Sequence, residues 1–130
     1  MNCTDNSAIS ETAAELGVAI QKGVLLEHTD SHGGFLGDGL TVIKIQGSVS
    51  VPDSVYWHSL PLMGSAARIP AYLDVDDPVP EKGAYFFRDR HSQSTDSADP
   101  SPLFSRYSCN FTFALWDSEN GILYYHKIDT

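Results

Sequence analysis

The chain has 130 residues, of which 42% are hydrophobic and 11% aromatic. That composition excludes intrinsic disorder and suits one domain spanning residues 1–130, with the first six frayed. Seventeen acidic residues against eight basic ones give a net charge of −9, which argues against nucleic acid and anionic membrane as partners. The same field speeds encounter with a basic protein partner, although acidity also serves plain solubility.

No apolar run approaches the roughly eighteen residues that cross a bilayer. The start, Met1-Asn2-Cys3-Thr4, lacks the basic and apolar regions of a secretory signal. The expected location is the cytoplasm, and a secreted or lipid-anchored form stays open for a chain whose signal had been removed.

Ile9, Ala13 and Leu16 recur at helical spacing and predict a helix from Ser7 to Leu16. Asp5 or Ser7 would cap its start, Gly17 would end it, and Glu11, Thr12 and Glu15 would fall on other faces. Val18–Ile20 and Val24–Thr29 read as an extended run broken by a bulge or turn at Lys22-Gly23, and Leu40–Gln46 alternates as a strand. Pro52–Ser59 reads as a short helix with Trp57 and Leu60 buried, and 65–73 as a further helical turn despite Pro70.

Asp74–Glu81 is an acidic, proline-stiffened connection, and Ala84–Arg88 a short strand. His91–Pro102, rich in Ser, Asp, Gln and Pro, predicts a mobile surface loop. Tyr107–Trp116 and Ile122–Ile128 alternate as a hairpin whose connection, Asp117 to Gly121, needs positive φ at the glycine. Tyr85-Phe86-Phe87 and Tyr124-Tyr125 read as core plus one solvated sheet face. The order helix–strand–strand–helix–strand–strand–strand predicts an α+β fold: a largely antiparallel sheet with its helices on one face.

Two cysteines, Cys3 and Cys109, make no zinc site by themselves. Cys109 reads as a small buried hydrophobe, and a Cys3–Cys109 disulfide stays open. Asn110-Phe111-Thr112 matches a glycosylation sequon inside a strand pattern, where it reads as coincidence.

One stretch stands apart. Glu27 to Gly39 holds two histidines, three carboxylates and four glycines in thirteen residues. The candidate binding loop is His28, Asp30, His32, Gly33, Gly34, Phe35 and Asp38. In an extended chain His28, Asp30 and His32 share a face, and with Asp38 across the turn they form a donor set for a divalent metal ion. The Gly33-Gly34 pair works against that extension. The spacing is neither the helical His-Glu-x-x-His pattern nor a calcium loop, and the glycines lack the lysine of a phosphate-binding loop. Ser31 beside His32 is no nucleophile pair, since neighbouring strand residues face opposite ways. Turn chemistry alone also accounts for the composition: glycine for φ, Asp and Ser for the loop's own N–H groups, Phe35 as a plug.

His32-Gly33-Gly34-Phe35, Gly37-Asp38-Gly39, Trp57, Leu60-Pro61-Leu62, the Asn110–Asp117 run and the Leu123–Thr130 ending together resemble a small uncharacterised family of bacterial proteins. The resemblance implies a bacterial or phage-borne single domain and carries no activity. With no catalytic constellation in sight, the expected function is that of a non-enzymatic binding protein without cofactor, in its sharper form an inhibitor of a basic toxin or nuclease. The alternative is a metal-dependent hydrolase using His28, Asp30, His32 and Asp38.

Overall fold

Strands that are apolar on both sides dictate the architecture. In β5 (Asn110–Asp117), Phe111, Phe113 and Leu115 alternate with Thr112, Ala114 and Trp116, and all but the last are buried. Such a strand belongs at the centre of a sheet covered on both faces. The computed structural model describes residues 3–30, 39–73, 79–89 and 110–129. It places β5 inside a six-stranded antiparallel sheet of order β1-β2-β6-β5-β4-β3. The other strands are β1 (Ala19–Asp30), β2 (Gly39–Ser50), β3 (Trp57–Ser59), β4 (Gly83–Asp89) and β6 (Ile122–Asp129).

Helix α1 (Cys3–Leu16) lies on the first face. Ala8 and Leu16, with Ile9 and Ala13 beside them, pack on Ile43, Ile45, Phe86, Ala114, Leu123 and Tyr125. On the second face Phe87, Phe111, Phe113, Leu115 and Ile128 are covered by Ala66, Ile69, Leu62 and Leu73. Those come from a 3-10 turn (Gly64–Arg68), the short α2 (Ile69–Leu73) and the chain leading into them. The helices therefore sit on opposite faces rather than on one. The sheet so outweighs them that the expected α+β description fits only loosely. The second face needs a cover because Phe86 and Phe87 are both buried, back to back, where one solvated face was expected.

α1 starts four residues before the predicted Ser7, which puts Asp5 and Ser7 inside it. Its end is as expected: Gly17 takes φ +69°, and the Val18 N–H donates to the Ala13 carbonyl at 3.0 Å. That bond from the second residue past the helix to its last full turn is the Schellman closure. Trp57 adds a second stop, its Nε1–H donating to the Leu16 carbonyl at 2.9 Å, one of the acceptors a helix end leaves over.

The short helix expected over Pro52–Ser59 does not form. The Ser54 hydroxyl accepts from the Tyr56 N–H at 3.1 Å and holds a turn in its place, the local competition that disfavours serine in helices. Trp57 then pairs with Phe86 as strand β3, its ring edge-on to Phe86 at 5.4 Å. Trp57 is buried as expected, and Leu60 partly so.

The C-terminal hairpin matches its prediction from Asn110 onward. Asp117 fixes its turn: Oδ1 accepts from the N–H groups of Glu119 (3.0 Å) and Asn120 (3.1 Å), and Oδ2 accepts from Asn120 Nδ2 (2.8 Å). Gly121 has φ +68°. The break predicted at Lys22-Gly23 is a register shift against β2, with Lys22 at φ +56°. The lysine, not the glycine, takes the left-handed conformation there. The predicted loop at 91–102, with Cys109, lies outside the described residues.

Candidate functional site

β1 and β2 form an antiparallel hairpin, so the segment singled out in the sequence is its connection, as expected. From Glu27 to Asp30 the ladder is unbroken against Lys44 to Thr41. His28 faces Ile43 across the pair and is exposed to solvent, and Asp30 faces Thr41. The chain is thus extended as far as the first two members of the proposed metal set require. His32, Gly33, Gly34, Phe35 and Asp38 lie outside the described residues. Among the described residues no group of three His, Cys, Asp or Glu side chains is placed to hold a metal ion. Gly39 is the first residue of β2 and pairs with Asp129 of β6.

The hairpin occupies one margin of the sheet, with β1 outermost. Two large apolar side chains of β1 remain in solvent, Val24 at 54% and Leu26 at 49% exposed. Leu26 falls at a second register shift, between Leu25 and Glu27, where a bulge releases a residue from the ladder. Glu27 forms an ion pair with Lys44 at 3.6 Å. The Lys44 ammonium also lies 5.9 Å from the ring centre of Tyr124 on β6. Margin, bulge and half-buried ion pair together make a surface with exposed apolar and charged groups side by side.

A second polar cluster escaped the sequence reading. The Glu15 carboxylate accepts hydrogen bonds from Thr112 Oγ1 (2.6 Å) and from the Tyr125 hydroxyl. Helical spacing put Glu15 and Thr12 away from the buried stripe. α1 instead lies flat on the sheet, and Thr12 is 1% exposed. No sequence signal joins Glu15 to residues 97 and 110 positions away. A hydroxyl donating to a carboxylate resembles an activated nucleophile. Thr112 is fully buried, however, and closed to any substrate. The arrangement ties helix to sheet.

Two further buried ionisable groups, His126 and Asp117, are likewise engaged in structure. His126 stacks on Phe113 at 6.0 Å between centroids, and its Nδ1 lies 3.3 Å from the Phe113 carbonyl. Asp117 is held by its own turn. Burial works to raise that carboxyl, but the Asn120 side chain and the N–H groups of Asn120 and Glu119 outweigh it and keep the group below the usual range. No helix among the described residues is long and apolar enough to cross a membrane. Compared with known proteins, the chain matches no family model, no curated protein and no solved structure.

Proposed function

We propose that the chain is a cytoplasmic, non-enzymatic binding domain that recognises a basic protein through the β1–β2 hairpin. The observation that carries this reading is the marginal position of β1, with Val24 and Leu26 in solvent beside the acidic stretch that leads into the loop. Large apolar groups left in water at a sheet margin cost nothing to desolvate against a partner and contribute on binding. A net charge of −9 favours approach of a cationic surface. An inhibitor that blocks a basic toxin or nuclease is the most specific form of the reading. Capture of a partner from the native host extract at low and high salt tests it: a basic protein retained at low salt and lost at high salt is expected. No partner, or capture indifferent to salt, overturns the steering.

A second reading has one observation in its favour. His28, exposed, and Asp30 are two apart on an unbroken strand, the start of the donor set that His32 and Asp38 would complete for a metal-dependent hydrolase. Metal analysis of untagged protein decides it. Stoichiometric zinc, manganese or iron, with a rise in melting temperature on adding the metal, supports the hydrolase, and their absence removes it.

A further inference from the structure

We propose that Asn120-Gly121, in the turn between β5 and β6, is a site of deamidation guarded by Asp117, and that its product weakens the hairpin the turn closes.

An asparagine followed by glycine is the pair most open to this reaction, because no Cβ on the second residue shields its main-chain nitrogen. Asn120-Gly121 is the chain's one such pair, and Asn120 is exposed to water. The step is intramolecular. The Gly121 nitrogen bonds to Asn120 Cγ, the Cγ–Nδ2 bond breaks, and Nδ2 leaves as ammonia with the proton that the Gly121 N–H gives up. Water then opens the cyclic imide at either carbonyl and yields aspartate or isoaspartate. Water enters and ammonia departs, with no oxidation or reduction.

The folded turn holds both reacting groups. The Gly121 N–H donates to the Asp117 carbonyl at 2.9 Å, and the Gly121 carbonyl accepts from the Gly47 N–H of β2 at 2.9 Å. Gly121 is thus tied at its amide and its carbonyl, and its nitrogen is not free to swing onto Asn120 Cγ. On the other partner, Asn120 Nδ2 donates to Asp117 Oδ2 at 2.8 Å, and the Asn120 main-chain N–H donates to Oδ1 at 3.1 Å. An amide nitrogen that gives its hydrogen to a carboxylate is poorly placed to take up the proton with which it must leave.

The hairpin needs the labile pair. Gly121 stands at φ +68°, and a Cβ there would lie 3.3 Å from the Gly47 carbonyl oxygen. Asn120 supplies the donor to Asp117 Oδ2. The reaction undoes this arrangement. Aspartate at position 120 sets a second carboxylate against that of Asp117, which is 7% exposed, and like charges so placed repel strongly. Isoaspartate instead adds a methylene to the main chain just before the Gly121 N–H.

The test holds the full chain at mildly alkaline pH, folded and separately in urea, and follows Asn120 by peptide mapping and mass spectrometry. Asn110, followed by Phe111, is the internal reference. Because the turn must open first, the folded chain should convert about tenfold or more slowly than the unfolded one. Asp117→Ala, folded by circular dichroism, should convert several-fold faster than the wild type, and at the same rate in urea. If alanine unfolds the chain, Asp117→Ser replaces it, since a hydroxyl still accepts from the N–H groups of the turn. Asn120→Asp should melt below the wild type at neutral pH, with the gap closing in acid as the carboxylates protonate. Equal rates folded and unfolded, or a folded Asp117 variant that converts no faster, overturns the guard. Faster conversion that only tracks faster hydrogen exchange throughout the sheet overturns it too. Asn120→Asp melting like the wild type at neutral pH overturns the weakening of the hairpin.

Discussion

Gly83 is where the sheet leaves least room for a side chain. It opens β4 at φ +131°, and a Cβ built on it would stand 1.8 Å from the Trp116 carbonyl oxygen and 2.9 Å from its carbon. The obstacle is backbone of the neighbouring strand, so no rotamer relieves it. Bringing that contact to the 3.0 Å floor of real Cβ neighbours means moving β4 from β5 by about 1.2 Å. That movement strains the Gly83–Asp117 pairing and the Ser118 N–H bond to the Lys82 carbonyl at 3.2 Å. The unfavourable φ costs about 1–3 kcal/mol, and a weakened ladder bond adds about 1 kcal/mol. Gly83→Ala should therefore destabilise by about 3 kcal/mol.

Gly17→Ala is the control. It has φ +69° and open space around the added Cβ, so it carries the left-handed penalty alone, about 1 kcal/mol. Urea unfolding followed by circular dichroism, with midpoints and slopes for both variants, measures the difference. A gap of about 2 kcal/mol is expected from these two contributions. Equal costs would refute the close approach of β4 to β5.

Glu15→Ala removes the carboxylate that accepts from the Thr112 and Tyr125 hydroxyls beneath α1; it should cost about 2 kcal/mol in urea unfolding, and Glu15→Gln less. Thr12 Oγ1 is buried without a hydrogen-bond partner among the described residues. Thr12→Val removes the orphan at similar shape and should stabilise by about 1 kcal/mol, so a loss of stability would mean that the hydroxyl is satisfied. The Asp117 carboxyl is held below its ordinary range in the folded chain, so its stabilisation is present above about pH 4, the unfolded value, and fades as pH falls through the folded one. Asp117→Asn should accordingly flatten the acid limb of a melting-temperature profile, and an unchanged limb would show that other groups govern it.

What could be read from the sequence was what depends on near neighbours. The C-terminal hairpin carries its register in alternating residues and its turn in Asp117 and Gly121. The end of α1 is written in Gly17, and the hairpin around the candidate loop in two apolar runs. Pro52–Ser59 went wrong because helix signals from Pro52 and Pro61 competed with a pairing of Trp57 to Phe86 that only the fold supplies. The double cover was hidden in the same way. Phe86-Phe87 is an unbroken apolar pair, and in Phe111 to Leu115 the alternation shows only the face of Phe111, Phe113 and Leu115, with Thr112 and the small Ala114 giving no sign that the other face is buried too. Of the candidate site, the hairpin and the extension through His28 and Asp30 were legible. The edge position of β1 was not, because strand order depends on β6 inserting between β2 and β5.

The most direct test of the functional reading is the association rate of the captured partner with the full chain, followed across ionic strength for the wild type and Val24→Lys. If an acidic domain steers a basic partner onto the β1 hairpin, the on-rate falls steeply with salt while the off-rate changes little, and Val24→Lys slows association and hastens release. An on-rate flat with salt, or a Val24→Lys variant indistinguishable from the wild type, would contradict it.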